Sequence, residues 1–192
     1  KFWLRGLCYY DAGSRSFYTS KKAIRTPDDL KGLKIRTMNN QMAINMVNSM
    51  GGSATPLSYS ELYTAIQQGV VDGAENNAPS FVSSNHHEIS KYYTLDEHAS
   101  QPDVLLISTK FWDSLTSEQQ EWVQSAADES AQAQKVFWNE SVEESMKAAK
   151  EKGVEIIIPE QSLFAEKSKS VLENFIKEYP EMEEVVKQIK AK

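Results

Sequence analysis

LKGLKIRTMNNQMAINMVNSMGGSATPLSYSELYTAIQQGVVDGAENN, residues Leu30 to Asn77, decides the fold. Lys34-Ile35-Arg36-Thr37 reads as a strand with Leu33 and Ile35 on one side and Arg36 on the other, because successive strand side chains alternate. Asn39 or Asn40 can cap the helix that follows, with Met42, Ile44, Met46, Val47 and Met50 as its buried side and Gly51 at its end. Ser58-Tyr59-Ser60-Glu61 reads as a capping box opening a second helix closed by Gly69. Val70 and Val71 then lead through Asp72-Gly73 into a strand ending at Glu75-Asn76-Asn77. Strand, helix, strand, helix, strand predicts an α/β protein with a parallel sheet, and open sheets of that kind bind ligands at strand ends and the loops after them.

Outward from that segment the chain keeps the same character. Phe2 to Tyr10 and Asp103 to Ser108 are apolar runs of a length suited to buried strands, the second to a strand covered on both faces. Arg15 to Arg25 is polar and extended. Thr26-Pro27-Asp28-Asp29 starts a short helix, with Pro at its first position and acids in its first turn. Thr116 with Gln119 opens a helical pattern that persists to Gly153, a rod on the order of 50 Å at 1.5 Å per residue. That is longer than a small lobe is wide, so it is expected to serve more than one. Val154 to Ile158 predicts a last strand, and Ser162 to Tyr179 and Glu181 to Lys190 two charged amphipathic helices.

The composition excludes several classes of function. With 192 residues, 40% of them hydrophobic and 25% charged, the chain has the makeup of a globular protein. A net charge of −6 gives no basic footprint for nucleic acid. No run approaches the roughly 18 apolar residues of a membrane-spanning helix, and Lys1 to Tyr10 lacks a signal peptide's apolar region and cleavage site. The single cysteine, Cys8, reads as a buried structural thiol with no internal disulfide partner. There is no nucleophile elbow, phosphate loop, dinucleotide fingerprint or metal-ligand spacing, so no cofactor and no metal are expected. His86 and His87 read as two solvated histidines, since adjacent helical residues point apart.

The candidates that remain are suited to grip. Arg36 offers a planar fork matching a carboxylate, although an ordinary salt-bridged arginine has the same surroundings in sequence. Arg15 after its Gly-Ser turn is equally open. Glu75, Asn76 and Asn77 can orient hydroxyl or carboxylate oxygens or simply form a turn and helix cap. Tyr59 can line a cleft or pack in the core, and His98 standing alone can be structural or exposed.

The run Thr26-Pro-Asp-Asp-Leu-Lys-Gly-Leu-Lys-Ile-Arg36, with Met50-Gly-Gly, Thr55-Pro56, Ser60-Glu-Leu-Tyr63, Ala65-Ile-Gln-Gln-Gly-Val-Val-Asp-Gly73 and Glu75-Asn76, resembles the solute-binding proteins of tripartite ATP-independent periplasmic (TRAP) transporters. The resemblance continues through Lys91-Tyr92-Tyr93, His98 and the long helix. It implies a periplasmic protein of two α/β lobes that closes over a carboxylated solute and hands it to a sodium-driven membrane permease, with no catalysis. Arg36 matches the family's carboxylate-clamping arginine and Asn76 its amide partner. Arg15 resembles a second arginine, with spacing off by about a residue, and Tyr59, Asn39 and His98 fall at cleft positions.

The resemblance assigns residues 13–100 and 142–192 to the second lobe, and 1–12 and 101–141 to a remnant of the first. Relatives carry a long segment ahead of the position of Lys1, so the reading expects a truncated piece that binds solute weakly by itself. The amides around Arg36, with Glu75 available to hydroxyls, favour a sugar acid such as a hexuronate or aldonate. A C4-dicarboxylate or keto acid is the alternative within the family. An enzyme acting on a hydroxy acid through Glu75 or His98 is the alternative outside it.

Overall fold

Phe17 and Tyr18, adjacent and fully buried, point to opposite faces of one sheet and seed two separate cores. The computed structural model describes residues 2–190. In chain order the elements are β1 (Leu4–Tyr10), β2 (Ser14–Thr19), β3 (Lys34–Thr37), α1 (Gln41–Ser49), β4 (Ser53–Pro56), α2 (Leu62–Gln67), β5 (Gly73–Asn76) and α3 (Ala78–Ser83). Then follow β6 (Tyr92–Ser100), β7 (Asp103–Ser108), α4 (Thr109–Trp112), α5 (Ser117–Glu151), β8 (Glu155–Ile157), α6 (Gln161–Glu178) and α7 (Glu183–Lys190). Six strands form one sheet in the order β4-β3-β5-β2-β6-β8, and β1 pairs with β7 in a separate antiparallel ribbon.

The predicted parallel unit is present: β4 and β5 both run parallel to β3. The sheet is nonetheless mixed, because β2 enters its centre antiparallel to both β5 and β6. Phe17, with Ile24, Leu30, Ile35, Val47, Met50 and Phe164, builds the core beneath α1 and α6. Tyr18, with Leu62, Ile66, Ala74, Phe81, Tyr93 and Ala149, builds the core beneath α2, α3 and the end of α5. At Gly73 the strands come so close that a Cβ would sit 2.0 Å from the Tyr18 carbonyl oxygen, which restricts the position to glycine.

The long helix forms as its sequence predicts. Thr116 and Gln119 make a reciprocal capping box, and the helix runs 35 residues. Its first half packs on β1, where the Tyr10 hydroxyl meets Ser130 Oγ at 2.8 Å and Gln124 Nε2 donates to the Leu7 carbonyl at 2.9 Å. Its second half closes on the large sheet through Ser145 and Ala149. Between the two halves, Trp138 rests on Gly13, whose φ of +66° turns the chain from the ribbon into the sheet.

Several expectations need correction. The apolar runs of β1 and β7 are not buried strands: Leu4 and Leu106 are about half exposed and Tyr9 is 66% exposed. Among the described residues, each has only the other as a strand neighbour, and only α5 packs broadly on the ribbon. Cys8, on the same ribbon, is half-buried rather than buried. In α1 the buried stripe is Ala43 and Val47, continued by Met50 at the cap, while Met42 faces outward. The amino cap of α1 is Asn40, which accepts from Ala43 N at 2.8 Å. Ser58 donates to the Glu61 carboxylate instead of capping backbone, and one 3₁₀ turn leads into α2.

Candidate functional site

Arg36 ends β3, Glu75 and Asn76 end β5, Arg15 begins the antiparallel β2 and His98 lies near the end of β6, so all five reach the same edge of the sheet. Strand alternation then divides them. Ile35 and Phe17 share one core, and Glu75 pairs with Phe17, so Arg15, Glu75 and Phe17 occupy that face. Tyr18 pairs with Ala74 on the other face, which therefore also carries Arg36 and Asn76.

On the first face the charges are matched. Arg15 Nε contacts Glu75 Oε2, Arg15 Nη2 donates to Glu75 Oε1 at 3.0 Å and to its carbonyl at 2.9 Å, and Nη1 donates to Asn76 Oδ1 at 2.9 Å. His98 lies against Phe17 with ring centroids 4.4 Å apart. Its Nδ1 meets Asp96 Oδ2 at 2.7 Å, and its Nε2 lies 3.6 Å from Glu75 Oε2, an ion-pair contact longer than a hydrogen bond. Asp96, His98, Glu75 and Arg15 thus alternate in sign.

A bulge in β6 makes this possible. Arg15 pairs with Ala99 but Phe17 pairs with Thr94, which leaves extra residues on β6 and puts Glu97 at a φ of +50°. Asp96 Oδ1 accepts from Phe17 N at 3.1 Å in the opened ladder, and Ser16 Oγ meets Glu97 N at 3.2 Å. The titration of the group follows from the pairing. Burial alone would lower His98, yet Asp96 and Glu75 raise it to about 9. Burial alone would raise Glu75, yet His98 and Arg15 hold it below the usual carboxylate range. Burial opposes the charge on Arg15 as well, and Glu75 more than offsets it.

On the second face the arginine lacks a matching carboxylate. Arg36 is 4% exposed, Nε donates to the Leu57 carbonyl at 3.0 Å, and among the described residues no carboxylate forms an ion pair with it. Its guanidinium carbon lies 5.5 Å from the centre of the Tyr59 ring, a cation–π contact. Burial pulls its pKa down from the ordinary range against the attraction of Tyr18 and Glu75. The side chain lines an open cleft of about 550 Å³ with Met38, Asn39, Pro56, Leu57 and Ser58.

Asn76 joins the two faces, and its amide orientation is fixed. Oδ1 accepts from both Arg15 Nη1 and Asn77 N at 2.9 Å, so the amide presents Nδ2, a donor, 3.5 Å from the Tyr59 hydroxyl. Asn77 caps α3 through Ser80 N and donates to the Ala12 carbonyl at 3.0 Å.

The residues singled out from sequence therefore separate into groups. Arg36 and Asn39 line the cleft, Tyr59 stands half-exposed beside it, and Asn76, on the neighbouring strand end, turns its amide nitrogen to the Tyr59 hydroxyl. Glu75, Arg15 and His98 form the buried ion network next to it. Glu75 serves there as the counter-charge of Arg15 rather than as a group open to sugar hydroxyls.

The expectation for His86 and His87 is overturned: they are 1% and 7% exposed. A left-handed Asn85 and a single 3₁₀ turn fold both inward, which helical spacing does not describe. Sequence reasoning missed Asp96 altogether, although its position two residues before His98 on a strand was the available signal.

The chain matches the family of bacterial extracellular solute-binding proteins, family 7 (DctP), over residues 3–178. It belongs to that family. A TRAP periplasmic solute binding protein from Sulfitobacter sp. NAS-14.1, solved with bound β-D-galacturonate, is 46% identical with a TM-score of 0.91, covering 95% of this chain and 61% of that one. Another from Chromohalobacter salexigens, solved with bound D-glucuronate, is 37% identical with a TM-score of 0.95, covering 98% of this chain and 63% of that one. A curated solute-binding protein of C. salexigens is 38% identical over 184 residues, 95% of this chain and 55% of its own length. This DctP-family chain thus spans little more than half to under two thirds of these relatives. That family is described as one of extracellular solute-binding proteins, which speaks against the hydroxy-acid enzyme reading. No helix among the described residues is long and apolar enough to cross a membrane.

Proposed function

We propose that this chain carries the carboxylate-gripping part of an extracytoplasmic solute receptor whose cargo is a sugar acid of the hexuronate class, delivered to a TRAP permease. The observation that carries the reading is the contrast in counter-charge: Arg15 is matched by Glu75, whereas Arg36 has no acidic partner at the cleft wall. A buried guanidinium is costly unless paired, and an anionic ligand supplies the missing pair. Arg36 and the Nδ2 of Asn76 are donors on one face, suited to the oxygens of one carboxylate. Support for the ligand class comes from the galacturonate and glucuronate held by the two solved relatives.

In this reading, residues 13–100 and 142–192 form one lobe. The β1–β7 ribbon with the first half of α5 belongs to the other, consistent with the change of packing partner along α5 near Trp138.

The test is a thermal-shift series on the full-length protein against D-glucuronate, D-galacturonate, succinate and pyruvate. A ligand that binds only the native state adds about 2.7 kcal/mol at a concentration of about a hundred times Kd. The uronates should raise Tm by several degrees and the small acids should not. A rise with succinate or pyruvate alone would overturn the sugar-acid assignment.

A further inference from the structure

Beneath Arg36, on the same face of the sheet, His86 stands among three tyrosines. It is 1% exposed, in the single turn between α3 and β6 that Asn85 opens with a φ of +59°. Its Nδ1 lies 2.7 Å from the Tyr18 hydroxyl. Its ring meets Tyr59 in a T-shaped contact at 5.6 Å and lies 6.5 Å from Tyr63. Tyr59 in turn carries the Arg36 guanidinium over its ring and ties its hydroxyl to Ser84 Oγ at 2.6 Å. The path from the core to the cleft is therefore Tyr18, His86, Tyr59, Arg36.

We propose that His86 is a positioning residue for the carboxylate grip: it accepts from the core Tyr18 hydroxyl and sets its ring against Tyr59, fixing the aromatic wall on which Arg36 rests. The inference rests on the reading of Arg36 as the ligand's partner. Two requirements meet at this position. The fully buried Tyr18 hydroxyl needs an acceptor, since a buried unpaired donor is costly. The wall beside an unpaired guanidinium must also carry no charge.

A neutral imidazole meets both. Burial first, then the charge of Arg36 and the neighbouring His87, holds His86 down to about 4, while burial keeps the Tyr18 phenol well above its usual range. Tyr18 is then the donor, and the imidazole proton sits on Nε2. Phenylalanine at 86 would keep the ring and orphan the hydroxyl. Lysine or arginine would add charge beside Arg36.

The experiment is a double-mutant cycle on the full-length protein, read as D-glucuronate affinity by calorimetry, with Tm followed separately. His86→Ala should weaken binding about three- to tenfold, the worth of one aromatic contact. Combined with Tyr59→Ala, it should add no more than about a twofold loss to that of Tyr59→Ala alone. Combined with Asn39→Ala, a cleft-lining residue in the loop before α1, the losses should multiply. His86→Asn keeps an acceptor for Tyr18 without a ring, and takes the place of alanine if that variant does not fold; the same coupled loss is expected.

Imidazole ¹⁵N shifts at pH 7 should show Nδ1 unprotonated. Binding by the His86 variants within about twofold of the unchanged protein, or losses that multiply with those of Tyr59→Ala, would overturn the proposal. Failure of the unchanged protein to bind any uronate would instead overturn the reading on which it rests, and this inference with it.

Discussion

Arg15 and Arg36 stand on two strands of one sheet separated by β5, on opposite faces, and differ in what answers their charge. Arg15 is locked to Glu75 within an alternating network that includes His98 and Asp96. Arg36 has a carbonyl, an aromatic ring and an open cleft. In the proposed reading, the guanidinium with an internal counter-charge serves the fold, and the one without a carboxylate partner among the described residues is available to a ligand. Asn76 links the two, because Arg15 fixes its amide oxygen and so turns its nitrogen towards the Arg36 face.

The largest effect that would break this contrast lies on the Arg15 side. Arg15→Ala leaves Glu75 buried without its guanidinium and should cost about 3–5 kcal/mol of stability, read by denaturant unfolding. A loss near zero would mean the network is not structural. On the other side, Arg36→Ala should weaken uronate binding by about 2–4 kcal/mol, measured by calorimetry. The ligand-free protein should unfold at an unchanged or slightly higher temperature, since a desolvated charge has been removed.

The pH profile comes next. His98 is raised from 6.5 to about 9, so its contribution to stability is complete below 6.5 and is lost as pH climbs through 9. Glu75 is held below its ordinary 4.5, so its contribution is present above that value and is lost on further acidification. Unfolding free energy should therefore fall by about 2–3 kcal/mol between neutral pH and pH 9.5, and His98→Phe should flatten that alkaline limb. The smallest change is Tyr59→Phe. It removes the bond to Ser84 and should cost about 0.5–1.5 kcal/mol of binding or less, sharpening whether the ring or the hydroxyl supports Arg36.

Much of this arrangement was legible in the chain. The Thr116–Gln119 box fixed the start of α5, the glycines after α1 and α2 marked their ends, and alternation around Ile35 put Arg36 opposite the apolar face. What escaped was whatever depends on strand order. Arg15 and Glu75 are 60 residues apart and meet only because β2 inserts beside β5, which no local pattern encodes. Asp96 joins them through a bulge, a local insertion that periodicity treats as noise. His86 turned inward at a left-handed residue, where helical spacing carries no information. The ribbon misled for a different reason. Apolar runs such as Val104 to Ile107 report a tendency to be covered, and among the described residues only one broad face of the ribbon finds cover, under α5.

The central claim is that the cleft recognises a carboxylate through Arg36. Calorimetry comparing D-glucuronate with D-glucose, the same ring without the acid group, tests it most directly in the full-length protein and in Arg36→Ala. The account predicts that glucuronate binds at least about a hundredfold more tightly than glucose, and that the preference disappears with Arg36. Equal binding of the two sugars, or a preference that survives the substitution, would contradict it.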